Sequence, residues 1–309
     1  MSRIGAYALS MGLLAAPSML TGQQGTDSRT SVVFLGTGTP RPDPKRSGPA
    51  TAIVVNGSPY LVDFGAGVIG RAVAAFDQGE KGLAIERLDI AFLTHLHSDH
   101  TVGLPDLIFT PWTHGRTSPL RIFGPHGIAA MTEHVLAAWK PDIDVRTQGF
   151  EARDRAGLRI EAKEIVPGVV YRDSNVTVTA FPVLHGDVPE AFGYRFETRD
   201  RTIVISGDAS PSPALVAACN RCDILIHEAF SPEYTPARVP NWIAYRARFH
   251  TTTAQVAEIA KASQPGLLVL YHRGVRKAQG EISDEQYLGE VRRAGYLGKV
   301  VIAHDLDVR

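Results

Sequence analysis

The chain has 309 residues, with 32 Lys and Arg against 32 Asp and Glu, so its formal net charge is zero. At 44% hydrophobic and 21% charged residues, it has the makeup of a soluble globular protein of one large or two small domains, able to bury a large core without staples. A neutral balance argues against a general electrostatic grip on nucleic acid, though not against a local basic patch.

Arg3 opens an apolar stretch, Ile4 to Leu20, followed by a polar segment, Thr21 to Thr30. This is the layout of a secretory signal, so residues 1–25 are read as a signal peptide or leader and the protein as periplasmic or secreted. No cysteine follows the apolar run to serve as a lipid anchor. No later run reaches the ~18–20 apolar residues that would cross a bilayer, so no stable membrane association is expected after cleavage.

Beyond the leader, short strand-like runs alternate with helical ones. Ser31–Leu35, Thr51–Val55, Pro59–Asp63, Leu88–Thr94 and Leu120–Phe123 read as strands, with helices at Val68–Phe76 and Gly127–Trp139. The second half repeats the style, with strands at Val176–Pro182, Gly193–Glu197, Arg201–Ser206, Asp223–His227, Leu267–Tyr271 and Lys299–Ala303. Its helices fall at Pro213–Ala218, Thr253–Ser263 and Asp284–Ala294. Two similar mixed halves suggest an α/β sandwich with helices outside and sheets inside. Thr39–Pro49 and Ser231–Phe249 read as long loops, the second carrying Trp242, Tyr245, Arg246 and Arg248. The two cysteines, Cys219 and Cys222, are spaced C-x-x-C. They read first as small buried hydrophobes at a helix–strand junction, with a disulfide as the alternative in an oxidising compartment. One such pair cannot supply the four ligands of a closed zinc site.

The strongest signal is His95-Leu96-His97-Ser98-Asp99-His100, four potential metal ligands directly after a buried apolar strand. Imidazoles and carboxylates suit Zn²⁺ and similar divalent ions. On an extended strand end His95 and His97 face one side, because side chains alternate with period two. A tight turn can then bring Asp99 and His100 to a second position, so one segment can serve two metals. His114, His126, His134 and His304 show no ligand spacing and read as ordinary surface or core residues. His227, beside Glu228 on a strand end, is a weaker candidate for supporting the site from behind.

HLHSDH resembles the signature of the metallo-β-lactamase superfamily. Other segments, in the matching order, resemble its ribonuclease Z and arylsulfatase-like branch: Phe34-Leu35-Gly36-Thr37-Gly38, Leu61-Val62-Asp63-Phe64-Gly65, Pro182–His185, Ser206-Gly207-Asp208, Ile226–Ala229, Phe249–Gln255 and Tyr271-His272. The resemblance implies a four-layer αββα sandwich over residues 31–309, a metal-dependent hydrolase domain. It also implies two Zn²⁺ per chain, though Mn²⁺ or Fe can occupy such sites. By the same resemblance, His95, His97 and His185 bind one metal; Asp99, His100 and His272 bind the second; Asp208 bridges them; and Asp63 accepts a hydrogen bond from a ligand imidazole. Catalysis falls to Asp99, to His250 as the acid for the leaving group, and to Glu228, which orients His250. A metal-bridging hydroxide would be the nucleophile.

The ribonuclease Z branch inserts a basic tRNA-gripping arm between the third histidine motif and the bridging aspartate, and the interval from His185 to Asp208 is too short for one. The expectation is therefore a small-molecule substrate with nucleic acid disfavoured: a phosphodiester or sulfate ester, held by Arg41, Arg46, Arg246 and Arg248. Alternatives are a β-lactam or lactone, suggested by the export signal and the Trp242/Tyr245 loop, a tRNA 3'-processing endoribonuclease, disfavoured for want of the arm, or a non-catalytic metal-binding role. The sequence is equally compatible with a monomer and a homodimer.

Overall fold

The structure is a computed structural model that describes Met1 and residues 29–233, 240–274, 276–277 and 280–309. The leader read over residues 1–25 lies, Met1 apart, outside the described residues.

The first half builds strands β1 (Thr30–Gly36), β2 (Ala50–Val55), β3 (Ser58–Val62), β4 (Ile90–Phe92), β5 (Leu120–Gly124) and β6 (Ile160–Glu164). They form one sheet in chain order, antiparallel at first and parallel from β3 to β6. The β2–β3 hairpin closes on Asn56-Gly57, both at positive φ, as a two-residue turn matched to strand twist requires. The second half gives β7 (Gly168–Arg172), β8 (Thr177–Pro182), β9 (Phe192–Glu197), β10 (Thr202–Ile205), β11 (Ile224–Glu228) and β12 (Leu267–Tyr271). A detached pair follows, β13 (Arg276–Lys277) and β14 (Gly280–Glu281), and then β15 (Val300–Ile302). The second sheet runs β15-β12-β11-β10-β9-β8-β7. The helices are α1 (Val68–Asp77), α2 (Ser98–Thr101), α3 (Leu104–Thr113), α4 (Ile128–Ala138), α5 (Lys140–Gln148), α6 (Pro213–Cys219), α7 (Pro240–Phe249), α8 (Thr253–Ser263) and α9 (Asp284–Arg293).

Alternation along the strands explains the layering. In β1, Val32 and Phe34 join the core between the sheets, while Val33 and Leu35 pack outward with residues of α1, α3 and α4. In β11 and β12, Ile224, Ile226, Val269 and Tyr271 face inward, while Leu225, Leu268 and Leu270 pack against α6, α8 and α9. Sheets buried on both faces need apolar residues at successive positions, and three buried clusters between four layers give the expected αββα sandwich. At the middle of the inner layer Phe92 meets Phe123, Tyr171, Tyr194 and Phe196, with ring centroids 5.3–5.9 Å apart.

Three expectations need correction. The strand read over Leu88–Thr94 ends at Phe92, because Asp63 takes the backbone N–H of Thr94 and pulls the chain out of the ladder. The Ser231–Phe249 segment is not loop throughout: α7 occupies its second half, and the side chain of Trp242 lies outside the described residues. Cys219 and Cys222 are joined by a disulfide, not packed as separate thiols. It ties the end of α6 to the turn before β11, across Asn220 and Arg221, both at positive φ.

Candidate metal centre

The parallel register decides where chemistry gathers. β3 and β4 run parallel in one sheet; in the other, β8, β10, β11 and β12 share a direction. Their carboxyl ends meet at one edge of the sandwich, the position where open parallel sheets present ligand sites. Asp63 follows β3, His95 follows β4, His185 follows β8, Asp208 follows β10, Glu228 ends β11 and His272 follows β12. At four of these ends the chain turns through left-handed backbone: Asp63 at φ 61°, Gly186 at 57°, Gly207 at 62° and His272 at 44°. For the two non-glycines this costs about 1–3 kcal/mol each and persists only where surrounding contacts hold it. Gly207 is required twice over, since a Cβ there would lie 2.9 Å from Thr94 Cβ.

All seven residues read as ligands converge. Atoms of His95, His97 and His185 lie within 4.8 Å of one another, as do those of Asp99, His100 and His272. Asp208 groups with His95 and His100 on one side and with His185 and His250 on the other. His272 Nε2 is 3.0 Å from Asp208 Oδ2, and His100 Nε2 is 3.4 Å from Asp208 Oδ1. His95 and His97 converge from the loop leading into α2, not from a strand end, with rings 4.6 Å apart.

The partners behind these side chains fix which ring nitrogen faces inward. His100 Nδ1 donates to Asp63 Oδ2 at 2.8 Å, as expected of Asp63. Thr94 Oγ1 donates to the same carboxylate oxygen at 3.0 Å and so can accept from His95 Nδ1, also at 3.0 Å. His185 Nδ1 donates to the Phe249 carbonyl at 2.7 Å, and His272 Nδ1 to that of Gly38. Four imidazoles therefore turn Nε2 lone pairs into the site. The His185 Nε2 lone pair meets His97 Nδ1 at 3.2 Å. His95 Nε2, His100 Nε2, Asp99 Oδ2 and Asp208 Oδ1 are buried with no hydrogen-bond partner among the described residues. Acceptors so arranged need a cation between them, and imidazole with carboxylate is a donor set for Zn²⁺ or a similar divalent ion. Burial, reinforced by the neighbouring His100, pushes the His95 imidazolium well below the usual range, leaving the neutral form that binds metal.

His250 sits beside this cluster, its Nδ1 2.9 Å from both oxygens of Glu228 and 3.9 Å from Asp208 Oδ2. Glu228 is buried and also accepts the Ala209 N–H at 2.8 Å. Burial disfavours the His250 imidazolium, but the Glu228 carboxylate outweighs it and raises the group to about 9. Dications held nearby would draw that value back down. His227 turns away from the cluster; its Nδ1 meets the Glu228 carbonyl at 2.6 Å, and burial lowers it to about 4. Among the other histidines, His126 pairs with Glu164 and His304 with Asp284, outside the cluster.

Among the described residues, two openings meet at the centre, separated by Thr39, Pro40 and Arg41, which line both. One is a cleft of about 570 Å³ with Arg41, Arg46, Arg71 and Asp99 on its walls. The other is a cavity of about 200 Å³ reached by Arg41, Arg246, His250 and His272. Arg248 instead pairs with Asp187 at the surface. Sequence reasoning missed Thr94, the Phe249 and Gly38 carbonyls, and Asp305. This last carboxylate accepts from Thr37 and Ser47 at 2.7–2.9 Å and holds the turn that carries Gly38.

A beta-lactamase superfamily domain model matches residues 58–273, more than half the chain. Ribonuclease Z from Mycobacterium sp. (strain KMS) is 34% identical over 255 residues, covering 82% of this chain and 87% of the relative. Ribonuclease Z from Mycolicibacterium gilvum (strain PYR-GCK) is 31% identical over 264 residues, covering 84% and 90%. Among solved structures, the metallo-beta-lactamase fold protein YhfI from Bacillus subtilis aligns with a TM-score of 0.68 at 18% identity, covering 91% of this chain and 99% of that one. The short form of human tRNase Z aligns at 0.64 and 23% identity, covering 90% and 98%; these two likenesses speak to the fold. Relatives named for a ribonuclease overturn the expectation of a small ester or lactam substrate with nucleic acid disfavoured. The expectation rested on the missing arm between His185 and Asp208, and a missing tRNA grip does not remove RNA as a substrate class, since arginines line both openings. The chain belongs to the metallo-β-lactamase superfamily as a metal-dependent hydrolase related to ribonuclease Z.

Proposed function

We propose that the protein is a zinc-dependent phosphodiesterase that cleaves RNA at a dinuclear centre. The observation that carries this reading is the convergence of unpartnered imidazole and carboxylate atoms beside a histidine locked to a buried glutamate. His95, His97 and His185 would hold one ion, Asp99, His100 and His272 the other, and Asp208 both. When bound, the ions supply a water acidified to near neutrality and positive charge against the phosphoryl oxygens.

The chain's own groups do the rest. His250, held by Glu228 with its Nδ1 occupied, turns Nε2 outward and gives its proton to the departing oxygen. Arg41 and Arg46 on one side and Arg246 on the other offer guanidinium forks to the phosphates that flank the scissile bond. That the relatives are named Ribonuclease Z supports RNA as the diester in this reading. The interval where that branch carries its arm holds only β9 and β10, so we assign no tRNA specificity. The Cys219–Cys222 disulfide suits an oxidising compartment and, with the leader, supports an exported enzyme.

The test joins metal analysis of the purified protein to cleavage of a labelled single-stranded RNA and of bis-p-nitrophenyl phosphate, with and without chelator. Zinc near two per chain and chelator-sensitive cleavage of both are expected, with His97→Ala inactive. Metal-dependent turnover of aryl sulfates alone, or RNA cleavage indifferent to chelator, would overturn it.

A further inference from the structure

In the RNA-cleaving reading above, the departing oxygen takes its proton from His250. The cavity walled by His250 and His272 therefore receives the nucleoside that leaves. The phosphorus stays bonded to its other nucleoside, and that strand runs out through the second opening, the cleft with Asp99 on its wall. At about 570 Å³, against about 200 Å³ for the cavity, the cleft falls within the ~300–1,000 Å³ of ordinary ligand sites. It has room for more than the group that flanks the cut bond.

The charges on its walls set the chemistry. Arg41, Arg46 and Arg71 line it together with the carboxylates of Asp43 and Asp99. Asp99 is a metal ligand in this reading, and Asp43 Oδ1 accepts the Lys45 N–H at 3.0 Å. The balance favours an anion. Arg41 lines both openings, and Arg46 Nη1 lies 3.5 Å from the carbonyl of Arg273, next in the chain to His272. Both thus belong beside the metal centre. Arg71 stands apart, one turn into α1.

Arg71 is held from behind. Its Nε donates to Ser47 Oγ at 2.9 Å, and Asp305 lies 3.6 Å away. Asp305 already accepts from Thr37 and Ser47 at 2.7–2.9 Å, so it orients the guanidinium without filling its fork. Neither terminal nitrogen of Arg71 has a hydrogen-bond partner among the described residues, and the side chain is one-third exposed on the cleft wall. A guanidinium pinned at its rear nitrogen, with its front edge open, suits two oxygens of one phosphate. The positive end of α1 opens into the same cleft at Gly67, with no acidic residue in the first turn, and adds to the field there.

Resting on the RNA-cleaving reading, we infer that Arg71 marks a second phosphate subsite. It binds the next backbone phosphate on the side that keeps the scissile phosphorus, so the cleft selects a polynucleotide strand over a lone diester. Arg71 touches the substrate and not the reacting atoms.

The experiment uses the zinc-loaded full chain and a short single-stranded RNA whose cleavage position and product ends have been mapped. One version carries an uncharged methylphosphonate at the first linkage beyond the cut on the side that keeps the phosphorus. A second carries it at the first linkage on the leaving side, and all versions have deoxyribose at both positions. The first version should show KM about tenfold higher, the scale of one hydrogen bond to a charged group, and the second little change. Arg71→Gln should raise KM for the intact strand by a similar factor and add nothing for the first version. Its slope of log KM against log salt should fall by about 0.7, the share of one contacted phosphate on a single strand. Arg71→Lys should recover part of the loss. Equal losses by Arg71→Gln on all three strands, or a methylphosphonate effect confined to the leaving side, would overturn the subsite while RNA cleavage stands. Absence of metal-dependent cleavage in the wild type would overturn the RNA-cleaving reading, and the subsite with it.

Discussion

The two sheets contribute to the centre in different ways. The first supplies His95, His97, Asp99 and His100 from one short segment between β4 and α3. The second supplies one residue per strand end: His185, Asp208, Glu228 and His272. The first arrangement depends on a local turn, held in place by Asp63 through Thr94 and His100. The second depends on the register of β8, β10, β11 and β12, and therefore on the whole second core. One half of the centre can form wherever its turn can; the other exists only when the sandwich has closed.

The sharpest way to break this contrast is Asp208→Ala, which removes from the dispersed half the residue grouped with both sides of the cluster. Metal content should fall below one ion per chain by plasma emission analysis, and RNA cleavage to background. Retention of both ions would mean that the HLHSDH segment suffices, contrary to the comparison. Asp63→Asn probes the local half. It leaves size unchanged but weakens the acceptor behind His100 and Thr94, and zinc affinity in competition with a chromogenic chelator should drop about 10–100-fold.

Glu228→Gln separates proton handling from metal binding. The carboxylate raises His250, and an acid must be protonated to act. Without the negative charge the imidazolium loses its proton at lower pH, so the alkaline limb of the kcat profile should shift downward by about 1–3 units. Zinc content should hold. An unmoved limb would remove His250 from the role of acid. The smallest effect is expected at the disulfide. It closes a loop across Asn220 and Arg221, so Cys219→Ser with Cys222→Ser should cost about 2 kcal/mol or less in urea unfolding. Activity of the folded protein should be unchanged; a loss of metal would show that α6 reaches the centre.

The same contrast governs what could be read in advance. His95 through His100 announce themselves because four donors are adjacent in the chain. His185, Asp208 and His272 are single residues far apart, legible only through resemblance to a known family. Phe249 and Gly38 act through carbonyls that every residue has, so no side chain marks them. Among the elements, strands with a clear inner and outer face were legible. The edge strands β6 and β7 were not: both are largely exposed, β6 turns only Ile160 and Ala162 to the core among charged neighbours, and β7 lacks alternation. Two prolines obscured α3, a polar surface with Ile143 alone buried obscured α5, and the aromatic and arginine run of α7 read as loop.

The left-handed backbone at Asp63 and His272, with Gly186 and Gly207 between them in the chain, has a consequence for anyone transplanting this centre. Copying the donor side chains onto another scaffold would fail unless the recipient bends at the same points, because each reverse bend aims the donor beside it. The portable unit is the set of bends, and the side chains come second.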